Sequence, residues 1–417
     1  MKYRTLIDCI SPGVHLEDIQ ITGVIRTLLE KKMLLVYDTG LGKTFIASVI
    51  LRALLNRNPN SKHIVIVLKD QDIQTPATIR SITGAKVIFT DASSRSLTRF
   101  FNKWDNNDIF IVTYNCFQNI DFLQFLYINI PQVTSFIIDE AHLASNWNTS
   151  NQAWLIRSFT AKVEYVVALT ATPITSNRAQ FPLLRNLINR DFTYRKYEVM
   201  SVKDYAKGYL QINRKDYGMK GNYKSEIIWC DPLPHQIGNL HGNIFQITKG
   251  SGAVNQANAV IETLRREQGN KIIIYVHYHD SRQWLEKNIK EAGFSFVSLH
   301  GKITNRKERT NILEKFNNNE CNILITSITT ALDISADTII FYEFTTAVKQ
   351  MIGRPHRGLA PKNLNIYFIL TRDTAEIFYF SKYIYYRSLD IQYLLGKDYS
   401  EIIAVGNELL TEMKEED

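Results

Sequence analysis

Residues 33–44, MLLVYDTGLGKT, decide how the chain is read. Met33 to Tyr37 is a short apolar run of the kind that forms a buried strand. A loop holding Thr39, Gly40, Leu41 and Gly42 follows, then Lys43 and Thr44, and Phe45 to Leu55 has the apolar spacing of a helix. A strand that feeds a glycine loop onto a helix N-terminus makes an anion cradle. Backbone N–H groups of the loop point at phosphates, the helix dipole adds positive potential, Lys43 supplies a point charge, and Thr44 can hold Mg2+. The strict phosphate-loop spacing would place glycine where Tyr37 stands. The plain alternative is a turn with two chance glycines.

Outward from this stretch, composition sets the bounds. A chain of 417 residues is too long for one ordinary core, so two domains are expected. Its 45% hydrophobic and 22% charged residues are those of a soluble globular protein. No apolar run reaches the length needed to cross a bilayer, and Asp8 interrupts the N-terminal segment, so neither a membrane span nor a signal peptide is expected. The cysteines Cys9, Cys116, Cys230 and Cys321 are scattered without metal or disulfide spacing, which fits a reducing, intracellular setting. A net charge of +8 suits a polyanionic partner, although it does not demand one. His277 and His279 are spaced for one face of a strand, but no third ligand lies nearby, so they read as ordinary strand residues.

After the first βα unit come apolar runs at 64–68, 86–89, 109–112 and 135–138, with helical stretches at 97–104 and 117–126 between them. That alternation predicts an α/β fold with a parallel sheet, whose chemistry belongs at the carboxyl ends of the strands. One such end carries Asp139-Glu140-Ala141-His142. A carboxylate directly after a buried strand is costly unless solvated, paired or bound to a cation. Asp139 opposite Thr44 can hold Mg2+ through water, and Glu140 can orient and deprotonate an attacking water. Another strand, 165–169, ends in Thr170-Ala171-Thr172-Pro173-Ile174, whose hydroxyls suit a relay beside a nucleotide.

Two segments keep two readings each. Residues 15–29 form an amphipathic helix in which Gln20 either pairs with the edge of adenine or is a solvated helix residue. Residues 192–224 interleave tyrosines with Arg195, Lys196, Arg214, Lys215 and other cations, as either a nucleic-acid surface or a solvated linker. A second α/β pattern begins near residue 254, with strands at 271–275, 296–299, 322–326, 338–344 and 365–370 and helices at 257–265 and 281–292. It has no second phosphate loop. Arg354 and Arg357 lie three apart, on one face of a helix.

Taken in order, these motifs resemble the superfamily 2 helicases and translocases, and within them the Swi/Snf-like group. Residues 38–44 are similar to motif I, 64–70 occupy the place of motif Ia, and 139–142 and 169–174 are similar to motifs II and III. Thr113-Tyr114 resembles an element that contacts DNA in relatives, and the helix around Gln20 resembles the adenine-recognition segment. Segment 297–316, with His300-Gly301, is similar to motif IVa, and residues 324–335, with Thr326 and Asp333, to motif V. Gln350, Arg354 and Arg357 match motif VI.

The resemblance implies two RecA-like parallel-sheet lobes in tandem, residues 1–190 and 251–417, joined by a basic, tyrosine-rich connector at 191–250. It implies ATP and Mg2+ at Gln20, the 39–44 loop, Asp139, Asp333 and Gln350, with Glu140 as base and Arg354 and Arg357 as arginine fingers. Nucleic-acid contacts are expected from Thr113, Tyr114, His300, Gly301, Thr326, Arg195 and Lys196. The implied activity is an ATP-dependent DNA translocase or helicase, with replication, recombination or transcription proteins as candidate partners. The alternatives are the motor subunit of a larger nuclease or transcription complex, and a non-motor DNA-binding ATPase. Abundant Asn, Ile, Lys and Tyr suggest an AT-rich, viral or phage genome, hence a bacterial cytoplasm or nucleoid, a nucleus or a viral factory. Between motifs V and VI there is no room for a strand-separating hairpin, so branch migration or fork regression is expected rather than processive unwinding.

Overall fold

The computed structural model describes residues 13–146, 148–173, 180–190, 207–212, 222–233, 253–303, 305–327, 334–345, 348–352, 363–372, 374, 376–377 and 380. The chain divides into two compact units, residues 1–218 and 219–417.

In the first unit, helix α1 (Asp18–Glu30) leads into β1 (Lys32–Tyr37) and then α2 (Lys43–Arg57). The alternation continues through β2 (Lys62–Val67), α3 (Gln74–Thr83), β3 (Val87–Thr90), α4 (Ser94–Lys103) and β4 (Ile109–Thr113). It ends with α5 (Ile120–Asn129), β5 (Val133–Ile138), α6 (Asn151–Thr160), β6 (Tyr165–Thr170), α7 (Gln180–Arg185) and β7 (Tyr209–Ile212). The strand order is β3-β4-β2-β5-β6-β1-β7, and neighbouring strands pair in parallel. Helices cover both faces of such a sheet, which is why its central strands read as continuous apolar runs rather than alternating ones. Met33, Leu34 and Leu35 of β1 are fully buried. Side-chain caps start the later helices: Asn119 accepts the Phe122 N–H at 3.1 Å ahead of α5, and Ser150 accepts that of Ala153 at 3.4 Å ahead of α6.

Tyr37 explains why the loop lacks its first glycine. It is the last residue of β1, fully buried, and its hydroxyl donates to the Ile19 carbonyl at 2.6 Å. The ring crosses above Gly23, where a Cβ would lie 2.6 Å from the hydroxyl oxygen. Tyr37 thus holds α1 against β1, and Gly23 leaves room for it.

The second unit contains β8 (Asn222–Cys230), α8 (Val254–Arg266), β9 (Ile272–Tyr275), α9 (His279–Glu291), β10 (Val297–Leu299) and α10 (Arg306–Asn317). It continues with β11 (Ile323–Thr326), β12 (Thr338–Phe341), α11 (Val348–Ile352) and β13 (Asn363–Thr371). The order is β10-β11-β9-β12-β13-β8, again parallel between neighbours. Glu267, just past α8, ties two of these strands together. Its carboxylate accepts from Thr338 Oγ1 (2.7 Å) on β12 and from Asn365 Nδ2 (3.0 Å) and Tyr367 OH (2.6 Å) on β13. Burial acts to raise its pKa, but these donors together with Asn270 outweigh it and hold the group down to about 2.

The structure describes two strands within the expected connector. Residues 209–212 form β7 and extend the first sheet, while 222–230 form β8 and extend the second along the whole of β13. Both are edge strands recruited by backbone pairing: β7 is only four residues long, and the first five residues of β8 are mostly polar, so neither reads from end to end as a buried run. Tyr209 packs against Phe181 and the Arg185 guanidinium, with centroid distances of 5.4 and 5.1 Å. His277 and His279 also depart from the expected strand: β9 stops at Tyr275, and His279 opens α9. Among the described residues no cluster has the makings of a metal site of histidine, cysteine and carboxylate ligands, and no helix is long and apolar enough to cross a membrane.

Candidate active site

The loops after β1, β5 and β6 leave the same edge of the first sheet, since these strands are parallel and close together in its order. After β1 the chain turns through Gly40 (φ +79°) and Gly42 (φ +77°), left-handed conformations that favour glycine. Gly42 is the N-cap of α2, and a Cβ there would collide with the Gln20 carboxamide. Lys43 opens α2, and its Nζ donates to the Tyr37 carbonyl at 3.1 Å. Thr44 follows on the first turn, half-buried. The N–H groups at the start of a helix and its macrodipole suit that turn to an anion.

Gln20 reaches this loop from α1. Its Oε1 accepts the Glu17 N–H and its Nε2 donates to the Leu41 carbonyl, both at 3.0 Å. The carboxamide therefore braces the loop from the helix expected to carry adenine recognition.

At the end of β5, Asp139 still pairs with β2 through its N–H to the Ile66 carbonyl at 2.9 Å. The chain then leaves the sheet at Glu140, which takes a left-handed conformation (φ +49°) although it is not glycine. Such a residue costs on the order of 1 kcal/mol and persists where its surroundings hold it. Here the Tyr114 hydroxyl donates to the carbonyls of Asp139 (2.7 Å) and Glu140 (3.2 Å), and the Leu143 N–H donates to the latter at 3.0 Å. Both carboxylates are nearly buried, Asp139 at 9% and Glu140 at 5% exposure. Asp139 Oδ1 accepts the Glu140 N–H at 3.0 Å, and Oδ2 accepts Gln71 Nε2 at 2.9 Å. Burial, then the adjacent Glu140 carboxylate, raises the pKa of Asp139, against the opposing pull of Lys43 and Gln71.

Glu140 Oε2 is buried and has no hydrogen-bond partner. An ionised oxygen in that position loses its hydration without return, at a cost of at least about 1–3 kcal/mol, so it is suited to a water presented by substrate. The nearest cationic candidate is His142 Nδ1 at 3.5 Å. The same His142 nitrogen lies 3.0 Å from Thr170 Oγ1 and 3.4 Å from Thr172 Oγ1, while the Thr172 N–H donates to Thr170 Oγ1 at 3.1 Å. The hydroxyls expected to act as a relay are thus linked to the acidic segment through His142. Thr44 and Asp139 are oxygen donors, as a hard cation that keeps several waters requires, so the residues present fit Mg2+.

The structure also places the remaining expected residues. Thr113 and Tyr114 are buried at 3% and 6% exposure, and the Tyr114 hydroxyl is spent on the acidic segment. Both side chains therefore have a place inside the fold. Thr326 is fully buried at the end of β11. His300 is half-buried after β10, its pKa lowered by burial and then by Arg282, and Gly301 beside it is exposed. Gln350 lies on α11, but its side chain, with Asp333, Arg354, Arg357, Arg195 and Lys196, falls outside the described residues. Sequence reasoning missed Gln71, which touches Asp139, and Gln152, whose Nε2 holds the Tyr114 carbonyl at 2.5 Å. No pattern marks either glutamine.

Two family models match the chain in succession: "Type III restriction enzyme, res subunit" over residues 14–175 and "Helicase conserved C-terminal domain" over 255–358. Together they take in well over half of the sequence, with the phosphate loop and the acidic pair inside the first and the two arginines inside the second. The chain belongs to the superfamily 2 helicases. This superfamily 2 helicase is 28% identical over 201 residues to the ATP-dependent DNA helicase MPH1 of Scheffersomyces stipitis, covering 47% of this chain and 19% of that protein. It is 30% identical over 194 residues to the MPH1 helicase of Candida albicans, covering 45% and 16% respectively. The chain thus spans less than a fifth of the length of these curated relatives. Among solved structures, the Sulfolobus solfataricus SWI2/SNF2 ATPase core in complex with dsDNA aligns over 91% of this chain and 93% of that one, at 19% identity and a TM-score of 0.41.

Proposed function

We propose that the chain is an ATP-dependent DNA translocase that hydrolyses ATP to ADP and phosphate and remodels branched DNA, by branch migration or fork regression. The observation that carries the ATPase reading is the buried acidic pair at the end of β5, with its unpartnered Glu140 oxygen, on the sheet edge that also bears the glycine loop and Lys43. In this reading the loop N–H groups and Lys43 receive the phosphates, with Gln20 bracing the loop beside adenine. Thr44 and Asp139 would hold Mg2+, which supplies charge neutralisation on the phosphate oxygens when bound. Glu140 orients a water and takes its proton as the water oxygen bonds to the γ-phosphorus and the bond to the bridging oxygen of ADP breaks. Arg354 and Arg357 are assigned the charge that develops on the γ-phosphate, with Asp333 and Gln350 as further nucleotide contacts.

DNA as the partner is supported by the net charge of +8 and by the MPH1 relatives, which are DNA helicases by name. His300, Gly301, Arg195 and Lys196 stay within the proposal as its nucleic-acid contacts, and an intracellular setting is part of it. The branched substrate is argued from the short path between β12 and α11. Only residues 342–347 join them, whereas a hairpin needs about ten or more. Without such a wedge, a motor can still exchange paired strands at a branch, where pairs lost on one side are regained on the other.

The family model that matches residues 14–175 favours one second reading, the motor subunit of a larger nuclease complex. A mobile four-way junction or fork, set beside a long partial duplex with ATP and a trap strand, separates the two. The proposal expects the purified chain to convert the branched substrate and leave the plain duplex largely intact. Efficient unwinding of the plain duplex with no action on the branch would overturn it, and activity only with an added nuclease partner would favour the second reading.

A further inference from the structure

Beyond the residues already assigned, one side chain is hydrogen-bonded to the acidic pair from another strand's loop. Gln71 closes the short 3-10 turn Lys69–Gln71 that follows β2, and it is buried. Its Nε2 donates to Asp139 Oδ2 at 2.9 Å, while its Oε1 accepts the Leu68 N–H at 3.3 Å. The carboxamide is therefore fixed at both ends, to the backbone of its own turn and to the carboxylate across the sheet edge. Asp139 Oδ1 is held separately by the Glu140 N–H at 3.0 Å. One donor on each oxygen stops the carboxylate from turning about its own axis, yet leaves lone pairs on both oxygens for a cation or its water. A neutral amide does this without adding the positive charge that a lysine or arginine would set against a cation.

We propose that Gln71 is a positioning residue for the metal-binding carboxylate, and that its hydrogen bond sets the affinity of this site for a divalent cation. The inference rests on the reading of Asp139 as a metal ligand. Partners that orient a ligand in this way change metal affinity or activity by about 10- to 100-fold when removed.

The test measures Mn2+ binding to the ADP complex of the full chain, from the loss of the free Mn2+ electron paramagnetic resonance signal, alongside ADP binding without metal. Gln71→Met keeps the length and removes the donor. Gln71→Asn keeps a polar amide in the buried site, which protects the fold, but is one methylene short of Asp139. Both variants should bind Mn2+ about tenfold or more weakly, with metal-free ADP affinity unchanged. Mn2+ affinity within about twofold of wild type would overturn the proposal. So would a parallel loss of metal-free ADP binding, which marks a general structural role. Asp139→Asn separates the two levels: if it binds Mn2+ as well as wild type, the ligand reading itself has failed; if it loses Mn2+ while the Gln71 variants do not, only this inference has.

Discussion

The Tyr114 hydroxyl donates to the Asp139 carbonyl at 2.7 Å and so pins the backbone from which both site carboxylates project. The phenol is buried, and burial, then the charges of Asp139 and Glu140, hold its pKa well above the usual 10. The donor thus stays protonated across the pH range of a folded protein. Tyr114→Phe should cost about 1–2 kcal/mol of stability, because two buried carbonyls lose a donor. It should lower kcat for ATP hydrolysis by about tenfold or more while nucleotide affinity holds, since Glu140 loses support for its left-handed backbone. Steady-state ATPase kinetics and ADP titration check the split.

Gly42→Ala should weaken nucleotide binding. The left-handed backbone at φ +77° costs an alanine about 1–2 kcal/mol, and its Cβ meets the Gln20 carboxamide. Adding Gln20→Ala should relieve the collision but not the backbone strain. A double-mutant cycle on ADP affinity is therefore expected to be non-additive, with the pair binding better than the sum of the single losses implies.

His63 makes the first unit sensitive to acid. It is fully buried on β2 between Ser61 (2.8 Å) and Ser135 (2.9 Å), and burial lowers its pKa from 6.5 to about 4. Between those values the unfolded chain binds a proton that the folded chain refuses. The contribution is complete above about pH 6.5 and is lost as pH falls towards 4, at most about 3 kcal/mol. Denaturant unfolding from pH 7 to pH 4 should show this slope, and His63→Gln should flatten it.

Glu376 acts in the opposite direction in the second unit. It is fully buried, its Oε2 accepts the Thr371 N–H at 3.0 Å, and burial raises its pKa from 4.5 to about 8. Here the folded state keeps a proton that the unfolded state gives up. Stability is fully present below about pH 4.5 and declines as pH rises through 8. Glu376→Gln, which mimics the protonated acid, should unfold at the same denaturant concentration as wild type at pH 5 and at a higher one at pH 8.

Much of the fold was legible because parallel strands buried on both faces leave continuous apolar runs. The runs at 33–37, 109–112 and 165–169 all lie within strands of the first sheet. The edge strands β7 and β8 were not legible, since backbone pairing recruits them, β7 is only four residues long and β8 opens on the mostly polar Asn222–Glu226. In the candidate site, Lys43, Asp139 and Glu140 stand out in the sequence because phosphate and metal chemistry constrains their type and spacing, and the structure places them on one edge of the sheet. The sequence did not show that the Tyr114 hydroxyl turns inward to the Asp139 carbonyl, a contact between residues 25 apart. Gln71 and Gln152 left no trace, because an amide that braces a neighbour looks in sequence like any surface glutamine.

The central claim is that Glu140 activates the water that cleaves ATP. Its most direct test is the rate of phosphate release by Glu140→Gln at saturating ATP, with nucleotide affinity measured on the same protein. The account predicts wild-type affinity and a rate lower by about a hundredfold or more, because the variant keeps the shape of the side chain and loses only its ability to take a proton. Hydrolysis by Glu140→Gln at the wild-type rate would contradict it.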